Sequence, residues 1–106
     1  MSSAAARFRH IVMFRWKPGT NAAQLEALER GLVALPALVP EIRAYRFGAD
    51  ARAAEGNFDF AIVADFDDVD AWRRYVVHPA HQKLVAELVR PITAERAAVQ
   101  HRLDAP

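Results

Sequence analysis

Two stretches of this chain are apolar on both faces when read as strands, and no other feature limits the fold as much. Over Phe8 to Lys17 the even positions are Phe8, His10, Val12, Phe14 and Trp16, and the odd ones are Arg9, Ile11, Met13, Arg15 and Lys17. Over Phe58 to Phe66 the even positions are Phe58, Phe60, Ile62, Ala64 and Phe66, and the odd ones are Asp59, Ala61, Val63 and Asp65. Strands that are polar only toward their ends belong to a sheet covered on both sides. A chain of 106 residues is one domain, so the cover has to be found within a small inventory of helices.

That inventory reads as follows. Pro18-Gly19 is a turn, and a helix runs from about Asn21 to Leu35, with Asn21 and Gln24 spaced as a capping box. Leu25, Leu28, Leu32 and Leu35 form its stripe, and Pro36 ends it, leaving Ala37 to Pro40 as a linker. Ile42 to Phe47 is a short strand whose Arg43 and Arg46 suit a sheet edge. Gly48 to Asn57, rich in Ala and Gly, lacks the bulk to anchor itself and reads as a mobile loop. After the Phe58 strand, Asp67 or Asp68 caps a helix to Val77. Pro79 starts another, which ends near Arg90 because Pro91 cannot continue it. Glu95 to Leu103 alternates weakly and reads as the last strand. The class is α+β, a four-stranded antiparallel sheet with helices on one face. The second face, through Ile11, Met13, Ala61 and Val63, is then bare, and a second copy related by two-fold symmetry is its simplest cover.

The chemistry gathers in Tyr75-Val76-Val77-His78-Pro79-Ala80-His81. His81, Leu84, Val85 and Leu88 share a helix face, so His81 points inward, and Tyr75 in the preceding turn can reach the same space. His81 is either a core histidine bonded to backbone or a general acid–base, since imidazole titrates near neutrality. His10 faces the helices, where Tyr75 or His81 can supply the partner that a buried imidazole requires. Val12, Phe14, Phe60 and Ile62 are its inward neighbours, either plain core or the walls of a site for a small hydrophobic ligand. Phe66, Trp16 and Trp72 offer the same choice. Arg9, Arg15, Asp59 and Asp65 lie on the other face, placed for ion pairs near a dimer interface. His78 and His81 are three apart, but Pro79 sets His78 outside the helix and no further ligand lies near, so no metal is expected.

Bulk properties exclude more than they select. Basic and acidic residues number 14 and 13 and are interspersed, with a net charge of +1, which argues against a nucleic-acid partner. Cysteine is absent, removing thiolate chemistry and fitting a cytoplasmic setting. No apolar run approaches the ~20 residues a bilayer demands, so no membrane partner is expected. Residues 1–6 read as a disordered tail without the pattern of a signal peptide, leaving 7–104 as the domain.

His10-Ile11-Val12-Met13-Phe14-Arg15-Trp16-Lys17-Pro18-Gly19, then Glu55-Gly56-Asn57-Phe58-Asp59, Ala64-Asp65-Phe66 and the Tyr75 to His81 block together resemble the stress-responsive A/B barrel (Dabb) family, over about Phe8 to Leu103. The resemblance implies a ferredoxin-like protomer pairing sheet to sheet into a dimeric α/β barrel. A plant polyketide cyclase of that family works without a cofactor. Its catalytic tyrosine and histidine match Tyr75 and His81, and its first-strand pocket histidine matches His10. A further pocket histidine of that enzyme is replaced here by Phe60, giving a less polar cavity. The resemblance thus implies a cofactor-free, cyclase- or lyase-like homodimer acting on a small hydrophobic carbonyl compound. The alternative is a non-catalytic stress-responsive dimer that binds a small ligand or is purely structural.

Overall fold

A computed structural model describes residues 6–103 of the chain. The tail expected over residues 1–6 lies outside them apart from Ala6, as does the domain limit at 104. The elements are β1 (Phe8–Trp16), α1 (Ala22–Leu38), β2 (Ala44–Ala49), β3 (Phe60–Phe66), α2 (Val69–Val77), α3 (Pro79–Leu84) and β4 (Thr93–Arg102). A π-helical turn over Val85–Val89 and a 3₁₀ turn over Arg90–Ile92 join α3 to β4. The sheet order is β2-β3-β1-β4, with every neighbouring pair antiparallel. This is the α+β, ferredoxin-like arrangement.

β1 and β3 hold the centre because their even positions are apolar throughout. Val12 pairs with Ile62 and Phe14 with Phe60, and all four are buried beneath the helices. Leu28, Leu32 and Leu35 of α1, together with Val39 and Phe66, complete the core with essentially no exposure. Among the described residues no helix covers the opposite sheet face. Met13 is 38% exposed and Val99 53%, with Ile11, Ala61 and Val63 half-buried around them. On that face Arg9 Nε and Nη2 donate to the two carboxylate oxygens of Asp65 at 2.7 and 2.9 Å.

The Asn21 capping box forms: Gln24 N–H donates to Asn21 Oδ1 and Asn21 N–H to Gln24 Oε1, both at 2.9 Å. α1 does not end at Leu35, however, but continues through Pro36 to Leu38. A proline this near the C-terminus forfeits one hydrogen bond. Val39 N–H still reaches the Leu35 carbonyl at 3.0 Å, and both residues are buried, which holds the last turn in place. The loop before β3 is likewise not without anchors; they are polar rather than apolar. Asp50 N–H donates to Asp59 O at 2.8 Å, Arg52 Nη2 to Asp59 Oδ1 at 2.7 Å, and Asn57 Nδ2 to Asp50 Oδ1 at 3.0 Å. Arg15 crosses from β1 to donate to the Gly56 and Asn57 carbonyls, both at 3.1 Å.

The helix expected from Pro79 to Arg90 is α-helical only as far as Leu84. The wider turn that follows changes which side chains face inward. Val89, rather than Leu88, is the buried one. Leu88 is turned toward α1, where a Cβ built on Gly31 would lie 2.9 Å from its Cδ1 and 3.1 Å from Leu84 Cδ1. Gly31 is therefore a point of close approach between α1 and the end of α3 with the turn that follows it.

Candidate functional site

Between the even face of the sheet and the α2–α3 corner lies a cavity of about 450 Å³. A larger hollow of about 530 Å³ sits on the other side, between Met13, Gly48 and Asn57, but no imidazole or phenol borders it. The smaller one gathers the imidazoles and phenols. His10, Val12, Phe14, Ile62, Tyr75 and His81 all border it. Phe60 does not: it is buried at the end of β3 between Trp16 and Phe47, with ring centroids 5.5 and 6.2 Å away. Trp72 joins the wall, whereas Trp16 and Phe66 belong to the core around it.

The corner that positions His81 follows from its sequence. Asp68 caps α2 by accepting from Ala71 N–H at 2.8 Å. His78 then leaves the helix with φ −63° and ψ 133°, the extended geometry that the following proline favours. Its Nδ1 accepts from Ala80 N–H at 3.1 Å, so His78 serves as the N-cap of α3. Among the described residues no group of three metal-binding side chains converges.

His81 sits against Tyr75, with ring centroids 4.1 Å apart. Its Nδ1 lies 3.2 Å from the Val76 carbonyl oxygen. A carbonyl only accepts, so in the neutral ring Nδ1 carries the proton and Nε2 keeps the lone pair. Burial lowers the His81 pKa, the Val76 carbonyl offsets part of that, and the nearby charges of Arg96 and His78 lower it again. The ring is thus a neutral base at pH 7.

Tyr75 is buried, and its hydroxyl lies 3.2 Å from that of Tyr45 on β2. Burial pushes the Tyr45 phenol up to about 12 and raises Tyr75 further still. Both remain protonated, and when Tyr45 donates to Tyr75 the Tyr75 proton is free for a ligand oxygen. His10, 6.2 Å from Tyr75 between ring centroids, finds its partner neither in Tyr75 nor in His81. Gln100 Nε2 on β4 donates to its Nδ1 at 2.9 Å, which leaves the ring proton on Nε2. Burial, with the charges of Arg96 and His81 added, lowers the His10 pKa to about 4.

Tyr45, Arg96 and Gln100 are thus the site residues that the sequence pattern missed. For Gln100 and Arg96 the signal is the pairing of β4 with β1. Gln100 pairs with His10 and Arg96 with Phe14 across β1 and β4, so both share the inward face once that register is known.

The stress responsive A/B barrel domain matches residues 8–101 of the chain. An uncharacterised protein of Streptomyces coelicolor is 38% identical over 81 residues, covering 74% of this chain and 82% of its own. A dimeric ferredoxin-like protein of unknown function from Thermobifida fusca superimposes with a TM-score of 0.85 at 44% identity, covering 92% of each chain. The hydroxynitrile lyase of Passiflora edulis shares the fold, with a TM-score of 0.83 at 18% identity over 95% of this chain and 96% of its own.

Proposed function

The chain belongs to the stress responsive A/B barrel family, and from that premise we propose that it is a two-fold homodimer whose cavities each transform a small hydrophobic carbonyl compound without a cofactor. His81 removes a proton α to the carbonyl through Nε2, and Tyr75 donates a hydrogen bond to the enolate oxygen that develops. His10 borders the bound compound from the sheet side. The observation that carries this reading is the His81–Val76 bond, which fixes the tautomer with a free Nε2 on a histidine bordering an apolar cavity. The dimer rests on the uncovered face of Ile11, Met13, Ala61, Val63 and Val99, and on the Thermobifida fusca relative described as dimeric. The interface is expected to bury more than ~1,000 Å².

A second reading, a non-catalytic dimer that binds a small ligand, draws its support from Tyr75, whose hydroxyl already has a protein partner in Tyr45. His81→Ala and Tyr75→Phe separate the two. The catalytic reading requires both variants to stay folded and dimeric while losing turnover of a β-dicarbonyl or activated polyketide-like substrate. If neither wild type nor variant turns over any such compound, and the variants lose about 1–3 kcal/mol of stability through stranded partners, the second reading stands.

A further inference from the structure

The cavity carries charge of one sign only. Arg96 from β4 and Arg90 from the 3₁₀ turn border it, and no described carboxylate does. Both arginines are exposed, and neither forms an ion pair with a described residue. Six of the chain's twelve arginines are held otherwise among the described residues. Arg9, Arg15, Arg43, Arg52, Arg73 and Arg74 each lie within 4.0 Å of a carboxylate oxygen. The deeper wall is aromatic and aliphatic, through Trp72, Phe14 and Val85. Donors without acceptors, arranged around an apolar interior, suit a ligand with an apolar body and an anionic end. A guanidinium matches a carboxylate with two parallel hydrogen bonds, and pairing there leaves no buried charge unmet.

We propose that the cavity's ligand is a hydrophobic carboxylate, its apolar body between Trp72 and the sheet and its anionic group held by Arg96 with Arg90 beside it. This rests on the reading of the cavity as the ligand site and names the class of compound that enters it. It also explains how one end of a carbonyl compound is fixed while His81 and Tyr75 address the other.

The test uses an inert acid, so it needs no reaction. Cinnamate and its neutral amide, cinnamamide, are titrated calorimetrically into the full chain at pH 7 and low salt. Cinnamate is expected to bind at least about tenfold more tightly, the worth of one charge-assisted hydrogen bond. Arg96→Gln removes that preference of acid over amide, while Arg96→Lys keeps part of it. Should Arg96→Gln fail to fold, raising the salt from about 50 to about 500 mM on wild type has to erode the same preference. Equal binding of acid and amide, no binding of either, or a preference that survives both Arg96→Gln and high salt overturns the proposal. Because His81 and Tyr75 need not react with cinnamate, acid binding without turnover of any carbonyl compound would sink the catalytic reading alone.

Discussion

His10 makes the stability of this fold depend on pH, and the size of the effect follows from its surroundings. The ring is 5% exposed, accepts from Gln100, and faces the positive charge of Arg96 and the His81 ring. Its pKa in the fold is about 4, against 6.5 unperturbed. Between those values the unfolded chain takes up a proton that the folded one refuses. The stabilisation is therefore complete above the unfolded pKa and is lost as pH falls from 6.5 toward 4. At about 1.4 kcal/mol per pH unit the difference is worth roughly 3 kcal/mol, a large share of the stability of a small domain. His10→Asn is the perturbation, since Asn keeps an amide toward Gln100 but does not titrate. Urea unfolding of both proteins from pH 7 to pH 4, at one protein concentration so that any dimer is held constant, gives the two stability curves. Wild type is expected to lose roughly 3 kcal/mol more than the variant over that range. His81 is present in both proteins, so its own loss of the same sign cancels. Curves that stay parallel to within about 1 kcal/mol would refute the reasoning.

Met13→Arg places a charge at the centre of the uncovered sheet face and is expected to shift the dimer toward monomer in sedimentation equilibrium, whereas Lys17→Arg at the strand's exposed end leaves it unchanged. Leu32→Ala, at a fully buried position of α1, should cost about 2–5 kcal/mol in urea unfolding. Gly31→Ala is expected to be close to neutral, because about 1 kcal/mol of helix propensity offsets the shift of two leucine methyls. Gly31→Leu should instead push α1 from α3 and cost about 1–3 kcal/mol by thermal melting.

Reading the sequence went furthest where the information was local. The two-sided β1 and β3, the Asn21 box, the Asp68 cap and the Pro79 corner each lie within a few neighbouring residues. Periodicity alone turned His10, Tyr75 and His81 toward one space. Distance along the chain is where the reading stopped. Gln100 is 90 residues from His10, and Tyr45 is 30 from Tyr75. Their pairing depends on sheet register, which no short pattern encodes. Phe60 illustrates a different limit. Alternation correctly gave it an inward face, but not its depth along the strand, and it lies past the end of the cavity. Pro36 does not end α1 because the packing of Leu35 and Val39 overrides a local breaker, and no residue spacing marks the change to a wider turn after Leu84.

The wide turn at Val85–Val89 has a consequence for how such a cavity diverges. Val85 and Val89 at its two ends both border the cavity, with Arg90 following to the rim, while Leu88 meets Gly31 of α1. That turn therefore presents both an aliphatic wall and a cation to the same opening. Point substitutions at these positions alter the lining one group at a time. Deleting a single residue such as Ala86 would instead rewind the turn and exchange several lining groups at once. In this fold a change of ligand preference is then open to a shift in chain length, a route that an alignment scored on matched residues passes over as a gap.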